Sequence, residues 1–197
     1  YINDIRSVYL AGGEPFLDDN VLILLDLLKN NKEVSIIFTT NCTVDLSNKK
    51  IAQKLEKLGH HNVNFNISLD GLPEYNDKIR LGGSFKKVCE NIEYLQNNFP
   101  TFELVITPTL GILNIENFPY FYDYMQKYQC RWELNFIQYP TYFDAVNLPL
   151  ERKIKLLRRT NNDQIKTHLS GQDNPDLYDE GLSFYEKYYD KYLSKTQ

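Results

Sequence analysis

The chain has 197 residues, of which 42% are hydrophobic and 24% are charged, and this composition excludes both a disordered chain and a small scaffold that depends on disulfides. Its 22 basic and 26 acidic residues give a net charge of −4 without a basic block, which makes nucleic acid a poor candidate partner. The longest apolar run, residues 21–25, is far shorter than the roughly 20 residues that a membrane span needs. We therefore expect a soluble, cytoplasmic protein without a membrane partner.

Five short segments rich in β-branched and aromatic residues predict strands. They are residues 7–11, 34–38, 63–69, 104–106 and 132–137. Because these segments contain apolar runs more often than strict alternation, they favour a sheet that is covered by helices.

Segments with apolar side chains at helical spacing lie between the predicted strands. The first helix is expected to start at the acidic residues 18–19, the second after the candidate cap Ser47, and the third after the cap Ser84. A fourth helix is expected over residues 115–128. Beyond residue 140 the pattern predicts a loop rich in tyrosine and proline, followed by a helix over residues 150–159. A polar linker is expected at residues 170–175 and a final tyrosine-rich helix at residues 178–192.

The alternation of strand and helix with short connections is typical of right-handed βαβ units, and it predicts an α/β fold with a parallel sheet. Five strands and four crossovers before residue 140 are too few for a closed eight-stranded barrel. An open doubly wound sheet and a partial barrel are both compatible with this pattern. We expect a core domain over residues 1–140 and a linker with a helical extension over residues 141–197.

The residues that follow the predicted strands are mostly small or polar. Ligands bind at the carboxyl ends of the strands in a parallel α/β sheet, so these residues are the candidate site. Glycine lets the backbone approach a ligand, a glutamate can accept a hydrogen bond from an ammonium group, and serine and aspartate suit hydroxyl or amine groups. The predicted pocket is polar and mildly acidic, and it contains Gly12, Gly13, Glu14, Pro15, Asn41, Ser68 and Asp70.

Three cysteines, Cys42, Cys89 and Cys130, stand far apart and form no close pair of the CxxC kind. This spacing is not that of a zinc site or of an iron–sulfur loop. We therefore expect three reduced thiols, each a small buried apolar residue, and no metal site in this chain.

Several motifs occur in order at the predicted strand ends. They are GGEP at residues 12–15, TTN at 39–41, ISLDG at 67–71, NDKIR at 76–80, GSF at 83–85 and NI at 91–92. In this order the motifs resemble the radical S-adenosylmethionine (radical SAM) superfamily, and within it the group that carries twitch or SPASM auxiliary domains. The resemblance extends over about residues 5–140.

The resemblance implies a partial (β/α)6, TIM-like barrel that binds S-adenosylmethionine across its strand ends. Gly12, Gly13 and Glu14 of the segment that ends at Pro15 would hold the methionine amino group. Ser68 and Arg80 would contact the ribose and the carboxylate, and Asn41 and Asp70 would line the same cavity. The backbone between Asn135 and Ile137 would flank the adenine. Arginine suits a carboxylate because its guanidinium can donate two parallel hydrogen bonds.

Two departures from the family pattern matter. Asn76 stands where the family has a histidine, on the helix that leads to Arg80. The CxxxCxxC loop that binds the [4Fe–4S] cluster in this superfamily is absent from the sequence, and the three cysteines present are too far apart to replace it. We expect the first strand, the cluster loop and the first helix to precede Tyr1, and we expect the chain alone to be inactive.

The resemblance implies an intact enzyme that cleaves S-adenosylmethionine reductively to a 5′-deoxyadenosyl radical and abstracts hydrogen from a substrate, with a peptide or a small polar molecule as candidates. The alternative is a non-catalytic binding or scaffold protein that self-associates through an exposed first strand or through the tyrosine-rich tail. A homo-oligomer is then expected. The apolar surface uncovered beside that strand is expected on Val8, Leu10, Leu24 and Leu28.

Overall fold

The computed structural model describes the backbone of residues 2–59 and 61–192, and the side chains of these residues other than residue 3 and residues 188–192. Strands and helices alternate in the predicted order. They are β1 Ser7–Leu10, α1 Asp19–Leu28, β2 Ser35–Thr40, α2 Lys49–Glu56, β3 Asn62–Ile67, α3 Pro73–Ile79, α4 Phe85–Asn98, β4 Glu103–Ile106, β5 Thr109–Leu110, α5 Phe118–Met125, β6 Arg131–Trp132, β7 Asn135–Phe136, α6 Leu150–Leu157, α7 Asp163–Leu169 and α8 Pro175–Tyr192. Within this described part of the chain, no helix is both long and apolar enough to cross a membrane.

Five of the strands form one parallel sheet in the order β1-β2-β3-β4-β6. This order follows the sequence without a reversal, as in a singly wound barrel, whereas a doubly wound sheet reverses direction at a switch point. The fold is therefore α/β with a partial TIM-like barrel and a helical C-terminal part. The predicted strand at residues 132–137 is in fact two short strands, because β6 joins the sheet while β7 pairs with β5.

The two faces of the sheet differ in burial. Along β2 and β3 every second residue is buried, so one face is packed under helices and the other is half-exposed and largely polar. The expectation of continuous apolar strands was wrong here, since the exposed face of β3 carries Asn62, Asn64 and Asn66. On this face Asn64 donates a hydrogen bond to the Glu103 carboxylate at 2.9 Å.

Stacked aromatic rings form part of the core on the buried face of the sheet. Phe16, in the 3₁₀ turn Pro15–Leu17 that follows β1, stacks on Phe38 and Phe65 with centroids 5.0 and 5.9 Å away. Phe102 continues the stack from Phe65 at 6.0 Å. Because Phe16 is buried among these rings, the loop that precedes it is anchored to the sheet.

Helix starts agree with the sequence at most positions. The Asp18 carboxylate accepts from the backbone of Asn20 to cap α1, and the Ser84 hydroxyl caps α4. The cap of α2 is Asn48 rather than the expected Ser47, whose hydroxyl instead donates to Asp45. The sequence pattern also missed α7, whose seven residues are too few to show a clear period.

The chain divides into two compact units. The first contains Tyr1–Pro108 and Tyr124–Glu133, and the second contains Thr109–Asp123 and Leu134–Gln197. The domain boundary at residue 140 stays a sequence prediction. In the second unit the buried ammonium group of Lys153 donates to Asp173 at 2.7 Å and lowers the pKa of that carboxyl group.

Among the described residues, β1 pairs with β2 alone and its other edge carries no strand. Tyr9 of β1 and Ile23 and Leu27 of the following helix α1 are each more than half exposed. The expectation for Leu10 and Leu28 was wrong, because both are buried against the core.

Asn91 of α4 fastens the loop that follows β2. Its side chain is buried, its amide oxygen accepts from the backbone of Leu46 at 3.1 Å, and its amide nitrogen donates to the carbonyls of Cys42 at 2.8 Å and Val44 at 2.7 Å. This amide thus satisfies three backbone groups in a segment without regular secondary structure.

We predict that Asn91→Ala lowers the free energy of unfolding by about 3 kcal/mol, because buried backbone groups lose their partners. Urea denaturation measures the loss. The matched control is Asn98→Ala on the same helix, where an exposed amide makes one bond to the Tyr94 carbonyl, and a change within about 0.5 kcal/mol is expected. Equal losses in the two variants would contradict the assignment.

Candidate functional site

The carboxyl ends of the central strands meet at one edge of the sheet. The backbone ladder continues one residue past three strands, since Ser68 donates to the Thr40 carbonyl, Thr107 to Ile67 and Glu133 to Ile106 at 2.9 to 3.0 Å. The residues that leave the strands there are therefore held in register with one another.

The segment after β1 exposes its backbone at this edge. Gly12 has a φ angle of +112°, a conformation that glycine adopts without the steric cost of a side chain. A Cβ atom added at Gly12 or Gly13 would meet no other atom within 4 Å. Both glycines thus leave open space in which a ligand could approach the main chain.

Glu14 joins this glycine segment to the second strand. Its carboxylate accepts hydrogen bonds from the Thr40 hydroxyl at 2.7 and 2.8 Å and from the backbone of Asn41 at 3.0 Å. The Thr40 hydroxyl in turn accepts from the backbone of Cys42 at 2.8 Å. Sequence reasoning assigned no role to Thr40, although it lies in the TTN motif at the end of β2.

Asn41 begins a tightly bonded turn. Its side-chain oxygen accepts from both the backbone and the hydroxyl of Thr43, at 3.0 and 2.6 Å. Cys42, which follows, has a φ angle of +55°, a value uncommon for a residue with a side chain. The side-chain amide of Asn91 donates a hydrogen bond to the Cys42 carbonyl and so restrains this turn.

Ser68 and Arg80 line one cleft together with Asn41. The cleft has a volume of about 230 Å³, and its remaining wall comes from Thr43, Asn76, the turn at residues 81–83 and Val88. Arg80 is the residue that ends α3, as the sequence predicted. Hydroxyl, amide and guanidinium groups therefore face the same small space.

Asp70, which was expected to line the same cavity, is not among the residues that line this cleft. Its carboxylate is 5% exposed and accepts from Arg80 Nε at 2.7 Å. The backbone N–H of Asp70 donates to the side-chain oxygen of Asn76 at 3.1 Å, and Asn76 is itself buried.

Seven of the predicted residues thus line two clefts of the first unit. Gly12, Gly13, Glu14 and Pro15 line a more open cleft of about 540 Å³, and Asn41, Ser68 and Arg80 line the smaller one. The hydrogen bonds from Thr40 and Asn41 to Glu14 connect the walls of the two clefts.

Asn135 and Ile137 belong to the second unit. Asn135 lies in β7 and pairs with Thr109, and Ile137 donates its backbone N–H to the Leu110 carbonyl at 2.9 Å. Their contact with adenine stays a prediction.

The cysteines are poor ligands for a metal in their present environment. Burial raises the pKa of all three thiols, that of Cys130 to about 12, and the nearby Glu14 carboxylate further raises that of Cys42. Cys42 and Cys89 are buried, as expected, whereas Cys130 is half-buried. Within residues 2–59 and 61–192, no group of three His, Cys, Asp or Glu side chains is arranged to hold a metal ion.

The sequence matches one family model and several known proteins. The model of the family described as the radical SAM superfamily matches residues 1–125. A probable GTP 3′,8-cyclase of Methanococcus maripaludis strain C5 is 36% identical over 90 residues, and one of Methanococcus vannielii is 33% identical over 89 residues. Each match covers 45% of this chain and 28% of the relative, so the chain spans less than a third of those proteins. Because the family match covers more than half of its residues, the chain belongs to the radical SAM superfamily.

Proposed function

We propose that this chain is the S-adenosylmethionine-binding barrel of a radical SAM enzyme of the twitch or SPASM type. The observation that carries the proposal is the exposed glycine backbone after β1, fixed through Glu14 to the end of β2 beside the cleft of Ser68 and Arg80. In such an enzyme the bound cofactor supplies radical hydrogen abstraction, and the protein orients it and excludes water.

The methionine ammonium group is assigned to the segment after β1. Backbone carbonyls of Gly12 and Gly13 can accept its hydrogen bonds, and no side chain blocks their approach. The Glu14 carboxylate adds a negative charge at a position that Thr40 and Asn41 hold in place. A cation is therefore favoured at this end of the site.

The ribose and the methionine carboxylate are assigned to the second cleft. The Ser68 hydroxyl can donate or accept, which suits a ribose hydroxyl, and the Arg80 guanidinium suits a carboxylate. Asn41 borders the same space. The backbone of Asn135 and Ile137 is the proposed flank of the adenine.

The described residues do not fit the [4Fe–4S] cluster, because no suitable set of three ligands occurs among them. We propose that the cysteine ligands of the cluster lie outside this sequence. The candidate substrates are a peptide or a small polar molecule, and the cyclase relatives add a purine nucleotide to that set.

Gly13→Ala tests the ammonium site. We predict that it weakens binding of S-adenosylhomocysteine, a stable analogue of the cofactor, by about tenfold or roughly 1.4 kcal/mol, because the methyl group occupies the space next to the backbone acceptors. Isothermal titration calorimetry on the 197-residue chain measures the affinity. Gly59→Ala, an identical change at the end of α2, should bind as the unaltered chain does; equal affinity in both variants would sink the assignment.

Anaerobic reconstitution with iron and sulfide tests the assignment of the cluster. We expect the chain to remain colourless and to retain no stoichiometric iron, because its thiols are buried and scattered. Visible absorption and iron analysis after desalting provide the measurement. A four-iron signal from this chain would show that Cys42, Cys89 and Cys130 can serve as ligands.

We propose as a second candidate that the chain acts as a self-associating scaffold through the open edge of β1. Two observations favour it: β1 has no neighbouring strand on one side in the described part of the chain, and Tyr9 of β1 and Ile23 and Leu27 of the following helix are exposed. A second copy would cover both the edge and the apolar side chains.

Light scattering tests the self-association. We expect the unaltered chain to have at least twice the monomer mass and Ile23→Lys to have the monomer mass, because a buried lysine charge disfavours the contact. Ile154→Lys, at an exposed isoleucine of α6, should leave the mass unchanged. A monomeric unaltered chain at high concentration would exclude this second function.

A further inference from the structure

Asp70 is a buried carboxylate that is bonded to Arg80 through its side chain and to Asn76 through its backbone. Only 5% of its side chain is exposed, and Arg80 Nε donates to Oδ2 at 2.7 Å. A carboxylate taken out of water loses solvation that only a charged or strongly donating partner restores. Asp70 therefore holds the side of the Arg80 guanidinium that carries Nε.

The contact with Asp70 leaves the other end of the guanidinium available. Arg80 is 30% exposed and lines the cleft with Asn41 and Ser68. In the described part of the chain, the two terminal nitrogens of Arg80 make no hydrogen bond of their own. A guanidinium held through Nε presents these two N–H groups as a pair, which is the geometry that binds a carboxylate with two parallel bonds.

The backbone on both sides of Arg80 is also restrained. Its N–H donates to the Asn76 carbonyl at 2.9 Å, and its carbonyl accepts from Gly83 at 2.9 Å. A Cβ atom at Gly83 would come within 2.8 Å of the Arg80 carbonyl, so the close turn requires glycine. Asn76 further bonds the Asp70 backbone and the Asp77 carboxylate.

We propose that Asp70 is a positioning residue that turns the terminal nitrogens of Arg80 toward the carboxylate of the bound ligand, with Asn76 holding Asp70 in place. This inference rests on the proposed function and specifies which residue orients Arg80 for the carboxylate that is assigned to it there. Asp70 itself acts through Arg80 and makes no contact with the ligand. A purely structural ion pair would instead support every ligand of the cleft equally.

Two probes separate these roles. One is S-adenosylhomocysteine, and the other is its decarboxylated form, which lacks only the carboxylate. Calorimetry on the full chain should show that the unaltered protein binds the first more tightly. Asp70→Asn should lower the affinity for S-adenosylhomocysteine about tenfold and that for the decarboxylated probe less than about twofold, because one charge-assisted pair is misplaced.

Two further variants complete the test. Glu74→Gln removes an exposed carboxylate from α3 and should change neither affinity. Arg80→Gln removes the guanidinium charge and should abolish the preference for the carboxylate, and Asp70→Asn added to it should cause no further loss, since both changes remove the same interaction. Thermal unfolding of each variant shows whether the fold is retained.

Each outcome either supports or overturns the positioning role of Asp70. Equal losses for both probes in Asp70→Asn would make the ion pair structural, and no loss for either would remove Asp70 from the site; both overturn the inference. If the unaltered chain binds both probes equally, Arg80 does not recognise the carboxylate, whereas the glycine assignment stands. If it binds neither probe, the proposed function itself fails.

Discussion

The site depends on one carboxylate that crosses between neighbouring strands. Glu14 leaves the first strand and receives hydrogen bonds from Thr40 and Asn41 at the end of the second. The glycine segment before Glu14 has no side chains with which to fix itself, and glycine has more conformational freedom to lose than any other residue. The cross-strand bonds on one side and the buried ring of Phe16 on the other therefore determine where the exposed backbone lies.

A similar arrangement recurs one strand further along. The turn after β2 is held by the buried amide of Asn91, and the loop after β3 is held by that of Asn76. Both side chains satisfy backbone groups of loops that would otherwise remain unpaired near the core. Such loops are usually the mobile part of an α/β fold, and here hydrogen bonds from polar side chains of the helices restrain them.

Much of the fold could be predicted because parallel strands and their helices leave strong periodic signals. The strand ends, with Gly12 and Ser68, could be located from spacing and motif alone, and so could Arg80 at the end of α3. The hydrogen bonds of Thr40 and Asp70 could not be predicted, because they depend on which side chains come close together in the fold. A sequence pattern does not contain the distances between side chains. The division of residues 132–137 into two strands was not predicted for a related reason, because the two strands pair with different partners.

The pairing of Asp70 with Arg80 bears on how tightly such a site can bind. An ion pair in the interior contributes little net stability, because desolvation offsets the attraction between the charges. The ion pair also restricts the rotamers of the arginine. A free arginine side chain loses about 2 kcal/mol of rotamer entropy when it becomes fixed. A guanidinium that Asp70 already holds has lost much of that freedom before the ligand arrives. In the site that we propose, the pair would therefore hold Arg80 in place before the ligand binds, and such preorganisation lowers the entropy that binding must lose.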